Sequence, residues 1–180
     1  VTPWANAMQG RTNGNDGVRD DVCGESVKWE EAAAPLSDVN FVFAGGGGAG
    51  QSRLAFDRVT GKVVWKTATE TITHATPVVT TIHGVRQVIF FTKAGLVSLE
   101  CAKGGQLWKQ DYKFAVSTAA SPVVSGDMVF CSAGYGVGGG AYRALHNAGQ
   151  WSADEVCRIP GTAHVANRGA HPGPTERSPA

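Results

Sequence analysis

The chain has 180 residues, 42% of them hydrophobic and 17% charged, and a formal net charge of +1. That is enough apolar content for a packed core and too little charge for a disordered chain, and near-neutrality excludes a nucleic-acid binder driven by a strong basic excess. Glycine supplies 24 residues, about twice average usage, in clusters and not at every third position, which excludes collagen.

Residues 1–24 read as an irregular, turn-rich segment; Val1-Thr2-Pro3-Trp4 shows neither the basic nor the apolar stretch of a leader. Gly24 to Trp29, GESVKW, reads as the tail of a repeat, and helical periodicity surfaces only weakly near Glu30 to Ala34. A first unit, about 34–76, contains the strands APL, NFVFAG, SRLAFD and KVVWKT. The second, about 77–120, contains TPVVTTI, RQVIFFT, LVSLEC and QLWKQ; the third, about 121–160, contains SPVVS, DMVFCS, AYRALH and WSADEVCR. Each is rich in Val, Ile, Phe or Thr and bounded by turn residues. Val88-Ile89-Phe90-Phe91 is apolar without alternation, as a strand covered on both faces requires. Residues 161–180 lose all alternation and read as an irregular tail. No apolar run reaches the length of about 18 residues that a membrane helix needs.

The units are copies of one another. LAFDRVTGKVVW, residues 54–65, aligns without a gap to VSLECAKGGQLW, residues 97–108, at an offset of 43. Ala55 meets Ser98, Asp57 meets Glu100, Gly61 meets Gly104 and Trp65 meets Trp108. Trp151 lies a further 43 on, in a stretch that aligns only with small shifts. Ala34-Pro35-Leu36, Thr76-Pro77-Val78 and Ser121-Pro122-Val123 mark the same period. Four strands per period match the blade of a β-propeller. The predicted fold is therefore all-β, with about three blades of four antiparallel strands in an incomplete ring.

The best-matched residues sit at the turn between third and fourth strands. The Asp57 carboxylate accepts backbone N–H groups across such a turn, and Gly61 supplies a position with φ above zero. A tryptophan just beyond it offers a large flat surface to the adjacent blade, and its indole N–H needs an acceptor once buried. Ala55-x-Asp57-x-x-x-Gly61-Lys62-x-x-Trp65 resembles the tryptophan-docking motif of the pyrroloquinoline-quinone (PQQ)-like propeller superfamily, which holds both quinoprotein alcohol dehydrogenases and non-enzymatic BamB-like proteins. The resemblance spans roughly residues 25–160 and implies a structural docking role for Ala55, Asp57, Gly61, Lys62, Trp65, Glu100, Gly104, Trp108 and Trp151. The second copy departs at Ser98, Glu100 and Gly105.

Other chemistry is sparse. Gly45 to Ser52 approaches a P-loop, but Gln51 replaces the phosphate-binding lysine and the next segment reads as strand. Gly134-Tyr135-Gly136-Val137-Gly138-Gly139 fits G-x-G-x-x-G, yet it occupies the corresponding inter-strand loop of its repeat and lacks a following helix. His74, His83, His146, His164 and His171 show no ligand spacing, although His74 precedes an innermost strand. Neighbours in Asp20-Asp21 and in Asp154-Glu155 point opposite ways on a strand, so neither is an acid/base pair. Cys23, Cys101, Cys131 and Cys157 are too sparse for a disulfide framework, and Cys101 and Cys131 read as buried small hydrophobes.

A PQQ dehydrogenase would need Ca²⁺ ligands, a catalytic carboxylate and, in many members, adjacent cysteines. No adjacent cysteine pair exists, and no Asp or Glu can be assigned to catalysis. The resemblance therefore implies a non-catalytic scaffold that binds other blades or protein partners, periplasmic or otherwise outside the cytoplasm, with no cofactor evident. The alternative is a fragment of a quinoprotein alcohol dehydrogenase using PQQ and calcium, its catalytic residues lying elsewhere. Three blades with two odd termini further suggest a partial sequence, its last 15 or so residues foreign to the family.

Overall fold

A computed structural model describes residues 33–46, 50–67, 69–114 and 118–161. Trp4, Asp20-Asp21, Cys23, GESVKW, Gly47 to Ala49, His164 and His171 lie outside these residues. The described chain is all-β, as its repeats predict, and forms three separate four-stranded sheets. In the first, β1 (Leu36–Ser37), β2 (Phe41–Gly45), β3 (Arg53–Asp57) and β4 (Val63–Thr67) run in sequence order. The second repeats this with β5 (Val78–Ile82), β6 (Val85–Thr92), β7 (Gly95–Glu100) and β8 (Gln106–Asp111). The third comprises β9 (Val123–Ser125), β10 (Met128–Ala133), β11 (Gly138–Asn147) and β12 (Gln150–Pro160). Every neighbouring pair is antiparallel, so each sheet is a meander.

Strand alternation divides blade 2 between its neighbours. Val88 and Phe90 of β6, with Val97 and Leu99 of β7, pack against Phe43, Ala55 and Trp65 of blade 1. Ile89, Phe91 and Leu96 turn the other way and join Val129, Cys131, Tyr142 and Ala144 of blade 3. The run VIFF has no alternation because both of its faces are core, and each such side chain contributes about 2 kcal/mol by leaving water. Blade 3 differs: Val129, Cys131 and Ala133 are buried, while Met128, Phe130 and Ser132 between them are only half-buried. A third cluster, Val42, Ala44, Leu54 and Phe56, occupies the remaining face of blade 1.

The repeat extends to irregularities. A β-bulge falls between Ala55 and Phe56 in blade 1 and between Ser98 and Leu99 in blade 2, at equivalent positions. A bulge raises local twist and re-aims the side chain opposite, which here is Trp65 or Trp108. Blade 3 departs. Its outer hairpin has strands of 10 and 11 residues, against 5 or 6 for the corresponding strands of blades 1 and 2. It closes on Ala148 and Gly149 with φ of 49° and 81°, a two-residue turn that matches strand twist.

Candidate functional site

The seam between blades 1 and 2 gathers most of the motif residues. Asp57 N–H donates to the Lys62 carbonyl at 2.8 Å and Gly61 N–H to the Asp57 carbonyl at 2.9 Å. In blade 2, Glu100 N–H donates to Gly105 at 2.8 Å and Gly104 N–H to Glu100 at 2.9 Å. Gly61 and Gly104 have φ of 71° and 70°. The two turns therefore share one hydrogen-bond pattern despite Glu for Asp. Asp57 adds what Glu100 does not: its Oδ1 accepts the N–H groups of Val59 (3.1 Å) and Thr60 (2.7 Å) and the Thr60 hydroxyl (2.8 Å). These bonds, the Thr60 N–H first, hold the Asp57 carboxyl below its ordinary range.

Trp65 crosses the seam. Its Nε1 donates to the Cys101 carbonyl of blade 2 at 2.9 Å, and its ring lies so close to Gly104 that a Cβ there would meet Cδ2 at 2.6 Å. Ala55, fully buried, pairs with Trp65 across the sheet. Lys62 points to solvent from the same turn.

Trp108 is buried more deeply and bonds differently. Its Nε1 donates to Gln87 Oε1 at 2.9 Å, and the Ser98 hydroxyl donates to the same atom at 2.6 Å. Both partners belong to blade 2. The serine in place of alanine thus supplies a second donor to a buried carbonyl oxygen. Trp151 is placed differently again: it pairs with His146 on β11, stacks on that imidazole at 4.3 Å and 12°, and approaches His83 of blade 2 at 5.9 Å. The short Ala148-Gly149 turn leaves no four-residue bridge like those after Asp57 and Glu100, so its tryptophan sits beside the turn.

Sequence reasoning missed the polar ties. Arg86 of blade 2 grips Asp38 of blade 1 through two hydrogen bonds, one of them Nε to Oδ2 at 2.8 Å, and the guanidinium lowers the Asp38 pKa. Arg53 of β3, with a side chain 3% exposed, donates to Glu70 Oε2 at 2.7 Å. Glu70 lies in the connector to blade 2 and also receives the Thr92 hydroxyl at 3.2 Å and approaches Lys109 at 3.5 Å. Burial lowers the Arg53 pKa against the pull of Glu70, and its Nε has no partner. Between blades 2 and 3, the Tyr112 hydroxyl donates to the Gly138 carbonyl at 2.8 Å and His83 Nε2 to that of Ala144 at 2.9 Å. Arg158 donates to the Tyr142 hydroxyl at 2.9 Å and lies 4.8 Å over the Tyr112 ring. A polar residue interrupting an apolar strand, as Gln87 and Arg53 do, was the available signal.

The two glycine loops carry no phosphate geometry among the described residues. Gln51 and Ser52 lead into β3, and the turn over Gly134 to Val137 leads into β11; neither opens a helix. Beside that second turn lies a hollow of about 360 Å³, walled by Phe130, Ser132, Tyr135 and Ile159 over glycine backbone. Cys101 and Cys131 are buried and pushed up to about 12 by desolvation, while Cys157 is exposed. His74 lies in the first connector, its N–H donating to Thr118. Glu155 pairs with Arg158 on β12 at 2.7 Å. Among the described residues no group of three or more His, Cys, Asp or Glu is placed to hold a metal. No helix among them is long and apolar enough to cross a membrane.

A family model described as outer membrane protein assembly factor BamB matches residues 6–169. Among solved structures 16 chains match. One, BamB from Moraxella catarrhalis, is 15% identical with a TM-score of 0.44; the match covers 74% of this chain and 36% of that one, so this chain spans about a third of its length. No curated protein matches.

Proposed function

This chain belongs to the family of the outer membrane protein assembly factor BamB, and from that premise we propose that it is a non-catalytic scaffold that binds protein partners outside the cytoplasm, in assembly at the outer membrane. The match over residues 6–169 carries the reading. The disposition of side chains supports it: apart from Arg53 Nε, the buried polar groups described at the seams bond to neighbouring blades or their own, and the nine motif residues build turns and strands. Fold membership alone does not fix function, so the test is made on binding. Crosslinking in the native cell followed by mass spectrometry is expected to recover outer-membrane assembly proteins above the level given by an unrelated propeller. Recovery of none, or dye-linked alcohol oxidation after addition of PQQ and Ca²⁺, would contradict the scaffold reading.

A further inference from the structure

The end of the molecule that carries the Asp38–Asn40 and Arg58–Thr60 turns has an unusual surface. Among the described residues seven large hydrophobic side chains are well exposed, and four of them, Val39, Val59, Val63 and Val64, belong to blade 1. Val39 and Val59, exposed by 68% and 76%, sit on the tips of two turns that are joined directly, the Arg58 N–H donating to the Asn40 carbonyl at 2.9 Å. Val63 opens the strand that leaves the second turn. An exposed cluster of this kind marks a contact surface more often than isolated apolar residues do.

Charge surrounds it asymmetrically. Arg58 and Lys62 flank Val59 and are exposed. Lys103 is exposed on the equivalent turn of blade 2, which Trp65 ties to blade 1 through the Cys101 carbonyl. None of these three cations enters an ion pair among the described residues. Of the nearby carboxylates, Asp38 faces Arg86 with its side chain 11% exposed and Asp57 is held by the N–H groups of its own turn, while Glu100 is half-buried. The tips are aliphatic, and at the rim the three exposed cations outnumber the half-buried carboxylates of Asp57 and Glu100.

We propose that this turn-end surface of blades 1 and 2 docks an acidic, leucine- or valine-bearing extended segment of a partner protein, whose aliphatic side chains meet Val39 and Val59 while its carboxylates pair with Arg58, Lys62 and Lys103. The proposal rests on the scaffold reading and gives it a place on the molecule. Same-side residues of an extended chain lie about 7 Å apart, so alternating acidic and aliphatic residues present one row to the valines and the other to the cations. An anionic membrane suits the surface less well: electrostatic lipid recognition uses about four to eight clustered cations, and interfacial insertion favours Trp, Phe and Leu over valine tips.

The test is a fluorescence-anisotropy titration of the full chain with a labelled, alternating Glu-Leu peptide. A Lys-Leu peptide of equal length and vesicles of mixed phosphatidylcholine and phosphatidylglycerol serve as competing probes. Binding of the acidic peptide is expected to weaken with added salt and to fall about tenfold or more in both Arg58→Glu/Lys62→Glu and Val39→Ser/Val59→Ser, with melting temperatures unchanged because the side chains are exposed. Lys113→Glu, outside this surface, should bind normally. Equal affinity for the basic peptide, undiminished binding by the two variants, no binding of the acidic peptide, or binding to vesicles alone would each overturn the proposal. A benzoylphenylalanine in place of Asn40 separates the two levels: partner adducts elsewhere on the chain but none from position 40 would remove this surface and leave the scaffold reading standing.

Discussion

Gly104 shows why one residue of a repeat resists change more than its geometry alone implies. Its φ of 70° costs most other residues about 1 kcal/mol, and a Cβ would also drive into the Trp65 indole. Gly126 has a comparable φ of 60° with nothing within 4 Å of a Cβ. Gly104→Ala is therefore expected to lower stability by about 3 kcal/mol, the backbone term plus overpacking, and Gly126→Ala by about 1 kcal/mol; urea denaturation of the pair separates the contributions. At the same scale, burial raises Cys101 and Cys131 to about 12, which leaves almost no thiolate near neutrality. Of Cys101, Cys131 and the exposed Cys157, only Cys157 is expected to take up iodoacetamide in the native protein, with the other two labelled after denaturation, as mass spectrometry of the digested chain would report.

At the scale of strands and turns, legibility divides sharply between local and cross-blade chemistry. The turns after Asp57 and Glu100 could be read from sequence because their hydrogen bonds close within six residues and demand a glycine at a fixed place. The four-strand period was readable for a similar reason, since each strand is a short apolar run between turn residues. Trp151 could not be placed by counting, because its register depends on a hairpin nearly twice as long as its counterparts. Arg53 with Glu70, and Arg86 with Asp38, stay hidden in sequence because each pair joins residues 17 or 48 apart on different elements. These pairs have measurable consequences. Glu70→Ala leaves the Arg53 guanidinium buried without its carboxylate, expected to cost about 3 kcal/mol, and Arg53→Met/Glu70→Gln should recover much of that in thermal denaturation. Asp38 and Asp57 both have depressed pKa values in the fold. Their contribution to stability is thus complete above the ordinary carboxylate value of about 3.9 and is lost as pH falls through the lower folded values. Urea midpoints of the parent and of an Asp38→Asn/Asp57→Asn variant should differ near neutrality and converge in strong acid.

Across the whole molecule, stability is set by which faces are shared. Blade 2 gives Val88, Phe90, Val97 and Leu99 to one neighbour and Ile89, Phe91 and Leu96 to the other, so unfolding it exposes both seams at once. Among the described residues blade 3 shares one face, and the long β12 lies at the edge of its sheet, half-buried or exposed throughout. In a stacked repeat, where each unit contacts only its neighbours, opening is easiest at units with a single interface. Hydrogen exchange followed by mass spectrometry is therefore expected to show β6 and β7 as the slowest amides and β12 as much faster, although β12 is the longest strand. Slower exchange in β12 than in β6 would mean that strand length outweighs burial on both faces. Phe91→Ala should then accelerate exchange in β10 as well as β6, since Phe91 belongs to the cluster that holds Val129 and Cys131, whereas Val42→Ala, in the separate cluster of blade 1, should leave β10 unchanged.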